Sequence, residues 1–180
     1  MRARIAFTVV VAALVLVAAG CGGSDDEADP TAAWASGFCS AVTTWTDALG
    51  NVTSQFGDSS SLSEDGLKSA ADDVKSSTQQ LVDDIRALGG PETESGEEVR
   101  SSLDTLSTTL ETEADKIEAA VEDVSGLTGI PTAISTVSTS LTAMGTAFSE
   151  ALQAISEADV GGELSSALED SPECAGVSSS

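Results

Sequence analysis

Four apolar stripes at helical spacing, each closed by glycine or proline, constrain the fold of this chain more than any other feature. The first runs Trp34, Phe38, Val42, Trp45, Leu49, Val52, Phe56, and the second Leu67, Ala70 or Ala71, Val74, Thr78, Leu81, Ile85, Leu88. The third is Val99, Leu103, Leu106, Leu110, Ala114, Ile117, Val121, Val124; the fourth is Ile130, Ile134, Val137, Leu141, Met144, Phe148, Leu152, Ile155. Steps of three and four put such residues on one face of a helix. Gly57-Asp58-Ser59-Ser60, Gly89-Gly90-Pro91, Gly129-Ile130-Pro131 and Gly161-Gly162 interrupt the pattern, and glycine and proline end helices. Ser61-Leu62-Ser63-Glu64 and Ser95-Gly96-Glu97-Glu98 have the form of capping boxes.

The spacing predicts helices over about 31–56, 62–88, 92–125 and 130–159, with a short fifth over 163–169. The four long stripes imply matched helices of about 40 Å, and short linkers favour antiparallel neighbours. The expected fold is all-α: an up-down-up-down four-helix bundle over residues 31–174, then a disordered tail over 175–180. The Ser/Thr-rich run from Thr132 to Thr139 has modest helix propensity, so the fourth helix must be held by its apolar face.

Ahead of the stripes, Arg2 and Arg4 precede an apolar run from Ile5 to Ala19. About 15 residues are too few to span a bilayer and match the core of a secretory signal. Val17-Ala18-Ala19-Gly20-Cys21 resembles the bacterial lipobox, with Ala18 standing where leucine is commonest. The resemblance implies a signal peptide over residues 1–20, lipidation of Cys21, and attachment to the cell membrane on its extracytoplasmic side. Residues 21–30, acidic and almost free of apolar side chains, read as a disordered tether.

Without that leader the chain keeps 5 basic against 30 acidic residues, a formal charge of −25. Such a surface repels nucleic acid and anionic lipid headgroups, so neither is an expected partner, and a monomer is expected. With Cys21 assigned to the lipid, Cys39 and Cys174 remain as an even pair in an oxidising compartment, where a disulfide is the default. In the chain-entropy account, closing so long a loop stabilises by about 4–5 kcal/mol.

Candidate chemistry is sparse. The chain has no His, no Tyr and no Gly-x-Ser-x-Gly stretch. Each basic residue after the leader follows an acid by three or four places: Lys68 after Glu64, Lys75 after Asp72, Arg86 after Asp83, Arg100 after Glu97, Lys116 after Glu113. Each is expected to pair along its own helix, leaving nothing for a phosphate clamp. Glu111, Asp115, Glu118 and Glu122 form an acidic line that Asp72-Asp73 and Asp83-Asp84 could face. Without His the usual di-iron site is excluded, and the line reads as a solvated helix face. No enzyme activity, cofactor or metal is expected. Trp34 and Trp45 lie about 20° apart around a helix, and with Phe148 they read either as core or as the lining of a ligand groove. Asn51-Val52-Thr53 matches a glycosylation sequon by chance, since Val52 belongs to the core stripe.

The lipobox, the acidic spacer, Trp34-x-x-x-Phe38-Cys39-x-x-x-x-x-Trp45 and Pro172-Glu173-Cys174 together resemble small lipoproteins of high-GC Gram-positive, actinobacterial-type bacteria. The resemblance implies no defined activity. Two functions are therefore expected as alternatives. One is a structural or interaction module whose acidic face meets another envelope protein. The other is a carrier or sensor holding a small apolar or cationic molecule between the helices.

Overall fold

The structure, a computed structural model of the 180-residue chain, describes residues 29–56, 63–124, 126 and 128–179. The expected signal peptide over 1–20, Cys21, the expected tether through 28, and Ser61 with Leu62 lie outside the described residues. Among the described residues there are five α-helices, one 3-10 stretch and no strand.

Helix α1 (Pro30–Phe56) begins inside the segment expected to be tether. Asp29 acts as its cap: the Thr31 N–H donates to Asp29 Oδ1 at 2.9 Å, and the Ala33 N–H to the Asp29 carbonyl at 2.9 Å. Pro30 takes the first helical position, where a missing N–H costs nothing. Helix α2 (Glu64–Leu88) starts two residues later than expected. Ser63 rather than Ser61 is its cap, with the Gly66 N–H donating to the Ser63 hydroxyl at 3.1 Å.

Helix α3 (Gly96–Glu122) starts at 96 rather than 92 and ends short of 125. A tight turn occupies the missing start: the Thr93 N–H donates to the Pro91 carbonyl at 2.9 Å and the Gly96 N–H to Thr93 at 3.1 Å. A Cβ on Gly96 would stand 2.1 Å from the Pro91 oxygen, so this turn admits only glycine there. Ser95 makes no side-chain cap bond, so the second expected capping box is not formed. Helix α4 (Ile130–Ala158) and helix α5 (Glu163–Asp170) follow the expected bounds closely. Residues 175–179, expected as a disordered tail, belong instead to the 3-10 stretch Pro172–Ser179, which Cys174 ties to α1.

Each long helix packs on the next: α1 on α2, α2 on α3, α3 on α4. The four stripes meet in one core, with Phe38, Val42, Leu67, Val74, Leu81, Leu110, Ile117 and Met144 essentially inaccessible. Helix α5 and the 3-10 stretch pack on α1 as a clasp. Among the described residues no helix is long and apolar enough to cross a membrane.

Candidate functional site

Helices α1 and α4 have few close backbone approaches, and the seam between them is bridged at one end by aromatic rings. Trp34 and Phe38 stack with centroids 5.3 Å apart, and Phe38 stacks on Phe148 at 6.4 Å. Trp45 leans against Phe148 at 6.3 Å. Both indoles are hydrogen-bonded: Trp34 Nε1 donates to the Gly89 carbonyl at 2.9 Å, and Trp45 Nε1 to the Thr78 hydroxyl at 3.2 Å. The three residues weighed as groove lining are thus brought together, but their faces are spent on one another.

The clasp covers this end. Gly37 looks toward α2, where a Cβ would lie 2.7 Å from Leu88. Ala35 and Cys39 stand on the opposite edge of α1 at 100° per residue, and both are buried. Cys39 and Cys174 are at disulfide distance, with Cα atoms 5.0 Å apart, and the Thr43 hydroxyl lies 3.5 Å from the Glu173 carbonyl. Leu164 of α5 is buried in the core cluster, with Ala167 and Leu168 partly buried against it. The carboxylate of Asp159 starts α5 by accepting from the Leu164 N–H at 3.2 Å and the Ser165 N–H at 2.7 Å. Burial alone would raise its pKa, but these amides outweigh it, and the carboxyl titrates below its ordinary value.

Steps of seven from Cys39 lead along the same edge to Thr46 and Thr53, and both are exposed. Burial therefore stops where the clasp stops. Beyond it, between α1 and α4, opens a cleft of about 480 Å³ lined by Thr53, Ile134, Val137, Ser138, Leu141 and Thr142. No sequence signal marked it. Ile134, Val137 and Leu141 look like ordinary members of a core stripe; Val137 is buried, and Ile134 and Leu141 are half-buried at the cleft wall.

Charge divides sharply between the helix pairs. Helices α1 and α4 hold three charged residues, Asp47, Glu150 and Glu157, among 56 positions, whereas α2 and α3 hold 19 among 52. Two expected ion pairs along α2 are replaced by pairs across to α3. Lys75 binds Glu118, with Asp115 at 3.7 Å, and Arg86 binds Glu111 at 3.0 Å. Both reach across because the facing carboxylates lie within their span. Their partners hold both cations above their usual pKa, Glu118 acting on Lys75 and Glu111 on Arg86. Lys68–Glu64 at 2.9 Å and Lys116–Glu113 at 2.6 Å form as expected. Three of the four carboxylates in the acidic line are thus paired with cations from α2.

At the clasped end, Glu94, Glu98, Asp159 and Glu163 contribute to a pocket of about 280 Å³ beside exposed Val160. Among the described residues no three acidic or cysteine side chains are placed to hold a metal ion. Compared with known proteins, the chain matches no family model, no curated protein and no solved structure.

Proposed function

We propose that this protein is a lipid-anchored extracytoplasmic helical module whose acidic α2–α3 face meets a basic surface of another envelope protein. The observation that carries the reading is the concentration of charge on two of the four long helices. Uniform acidity would serve solubility alone; a one-sided field gives a partner a preferred side of approach. In this reading the four long helices run up-down-up-down. The order of cross-helix partners supports it: Trp34 meets Gly89 while Trp45 meets Thr78, and Lys75 meets Glu118 while Arg86 meets Glu111. Cys21 carries the lipid, and Cys39 with Cys174 close the bundle in an oxidising compartment.

Photocrosslinkers at Thr108 on α3 and Thr139 on α4, both exposed, test the reading in the native envelope. The expected result is one discrete protein adduct from Thr108, weakened in about 1 M salt, and none from Thr139. No adduct from Thr108, or equal adducts from both, defeats it. Intact-mass measurement of the mature N-terminus checks the anchor: acylated Cys21 is expected, and an unmodified Gly22 or an intact Met1 would sink it.

The second reading, a carrier of a small molecule between the helices, is favoured by one observation, the uncovered apolar cleft at the far end of the α1–α4 seam.

A further inference from the structure

We propose that the cleft between α1 and α4 binds one alkyl chain of an amphiphile with a neutral or cationic head. This rests on the carrier reading and is independent of the acidic-face reading. Ligand sites are concave, mostly apolar and commonly about 300–1,000 Å³, and this cleft falls within that range at about 480 Å³. Its walls are Ile134, Val137 and Leu141 together with three hydroxyl residues, and among the described residues no charged side chain lines it.

The hydroxyls do little to make it polar. Thr53 donates to the Leu49 and Gly50 carbonyls, both at 3.0 Å, and Thr142 donates to Ser138 at 2.8 Å. With those donors committed to their own helices, Ser138 is the lining residue left to meet a polar group. A ligand needing several directed hydrogen bonds finds few partners here, whereas a hydrocarbon chain finds branched aliphatics along its length. The α4 lining runs from Ile134 to Thr142, eight residues or about 12 Å, so the site is elongated along the helix axes.

Head-group charge follows from the surroundings. The protein is strongly acidic, and Lys116, whose partner Glu113 bonds Ser140 of α4, is already paired, as are Lys75 and Arg86 between α2 and α3. An anionic head would meet repulsion with no counter-charge, while a neutral or cationic head would not. The clasped end of the seam cannot serve, because Trp34, Phe38, Trp45 and Phe148 fill it.

The test uses membranes containing the full chain and a dodecyl probe carrying a photoreactive diazirine, made with a trimethylammonium or a carboxylate head. Labelled peptides are mapped by mass spectrometry. Expected is labelling of the α1 peptide with Thr53 and the α4 peptide spanning 134–142, competed by unlabelled dodecyltrimethylammonium. The carboxylate probe should label at least about tenfold less. Ser138→Phe and Thr142→Phe, at exposed wall positions outside the core, should each lower labelling about tenfold while leaving helicity and melting temperature unchanged. Labelling spread evenly over the chain, equal labelling with both heads, or labelling untouched by both substitutions overturns the proposal. So does a protein adduct from a photocrosslinker placed at residue 138 in the same membranes, which would give the cleft to a protein partner. None of these results alters the adduct pattern from Thr108, so the two proposals fail separately.

Discussion

The α1–α4 seam and the α2–α3 seam lie in one bundle and are held by different physics. Between α1 and α4 the joint is neutral: stacked rings, a clasp tied at Cys39 and Cys174, and three charges on the two helices. Between α2 and α3, Lys75 and Arg86 reach from one helix to carboxylates of the other. Apolar burial and chain closure do not depend on ionic strength at first order, whereas half-exposed ion pairs do. Both seams share the apolar core, so the ion pairs of the second should add only a small, salt-dependent increment to it.

The largest effect should come from the clasp. Replacing both cysteines by alanine, Cys39→Ala with Cys174→Ala, removes closure of a loop spanning 135 residues. A loss of about 4–5 kcal/mol is expected, read as a fall in the urea midpoint with a steeper slope as the unfolded chain is freed. Phe38→Ala should cost about 3–5 kcal/mol, because the ring is 1% exposed and stacks on both sides. Neither loss should change by more than about 0.5 kcal/mol between low salt and about 1 M NaCl. A strong salt dependence in either variant would break the contrast between the seams.

A smaller effect is expected from Trp45→Phe. The ring volume is largely kept, but the Thr78 hydroxyl, 0% exposed, loses the indole N–H that reaches it. Leaving a buried polar group short of a partner costs about 1–3 kcal/mol. Adding Thr78→Val removes the orphan, so the double variant should recover part of the loss. Failure to recover would mean that packing, not the hydrogen bond, carries the effect.

Much of the fold was legible because periodicity and breakers act locally. The stripes located the long helices, and Gly89-Gly90-Pro91 located the turn between α2 and α3. The swapped ion pairs and the cleft depend on partners distant in sequence, whereas the early start of α1 is a local cap read as spacer. Lys75 and Arg86 were expected to pair with Asp72 and Asp83, three residues earlier, but cross-helix carboxylates compete for the same ammonium and guanidinium. Asp29 and Pro30 carry the composition of a tether, yet each suits a helix start, and position decides between the two uses. The cleft was invisible for a stronger reason. Nothing in Ile134, Val137 or Leu141 reports how far the clasp extends; that depends on where Cys174 ties down a short helix.

Acidity should separate the two seams further. Glu113 is buried on α3, where Lys116 above all, and the Ser140 hydroxyl, hold its carboxyl below the ordinary value despite desolvation. A carboxyl lowered on folding adds stability above its unfolded pKa, about 4.3, and loses it as pH falls through the folded value. Asp159 acts in the same direction through the amides at the start of α5. Stability should therefore be flat from pH 7 to about 5 and decline below about 4.5. In Glu113→Gln that decline should be shallower, as measured by urea midpoints across the range. An unchanged slope would show that Glu113 gains nothing from Lys116 in the folded protein.

The smallest effect is the one that sharpens the contrast most. Lys75→Met and Arg86→Met each remove a cation from the α2–α3 seam while keeping much of the aliphatic stem. The partners are partly exposed, with side-chain exposures of 29% for Lys75 and 50% for Arg86. Pairs so exposed are worth little, because the desolvation they avoid nearly offsets the attraction they lose. Each substitution should thus lower the urea midpoint only slightly at low salt and hardly at all at about 1 M NaCl. Removing both leaves Glu111, Asp115 and Glu118 facing α2 without a counter-charge, so the double variant should lose more than the sum of its parts at low salt. If it is merely additive there, the three carboxylates do not share the field of the two cations. Each ion pair would then act alone, as a small local increment on the apolar core that both seams share.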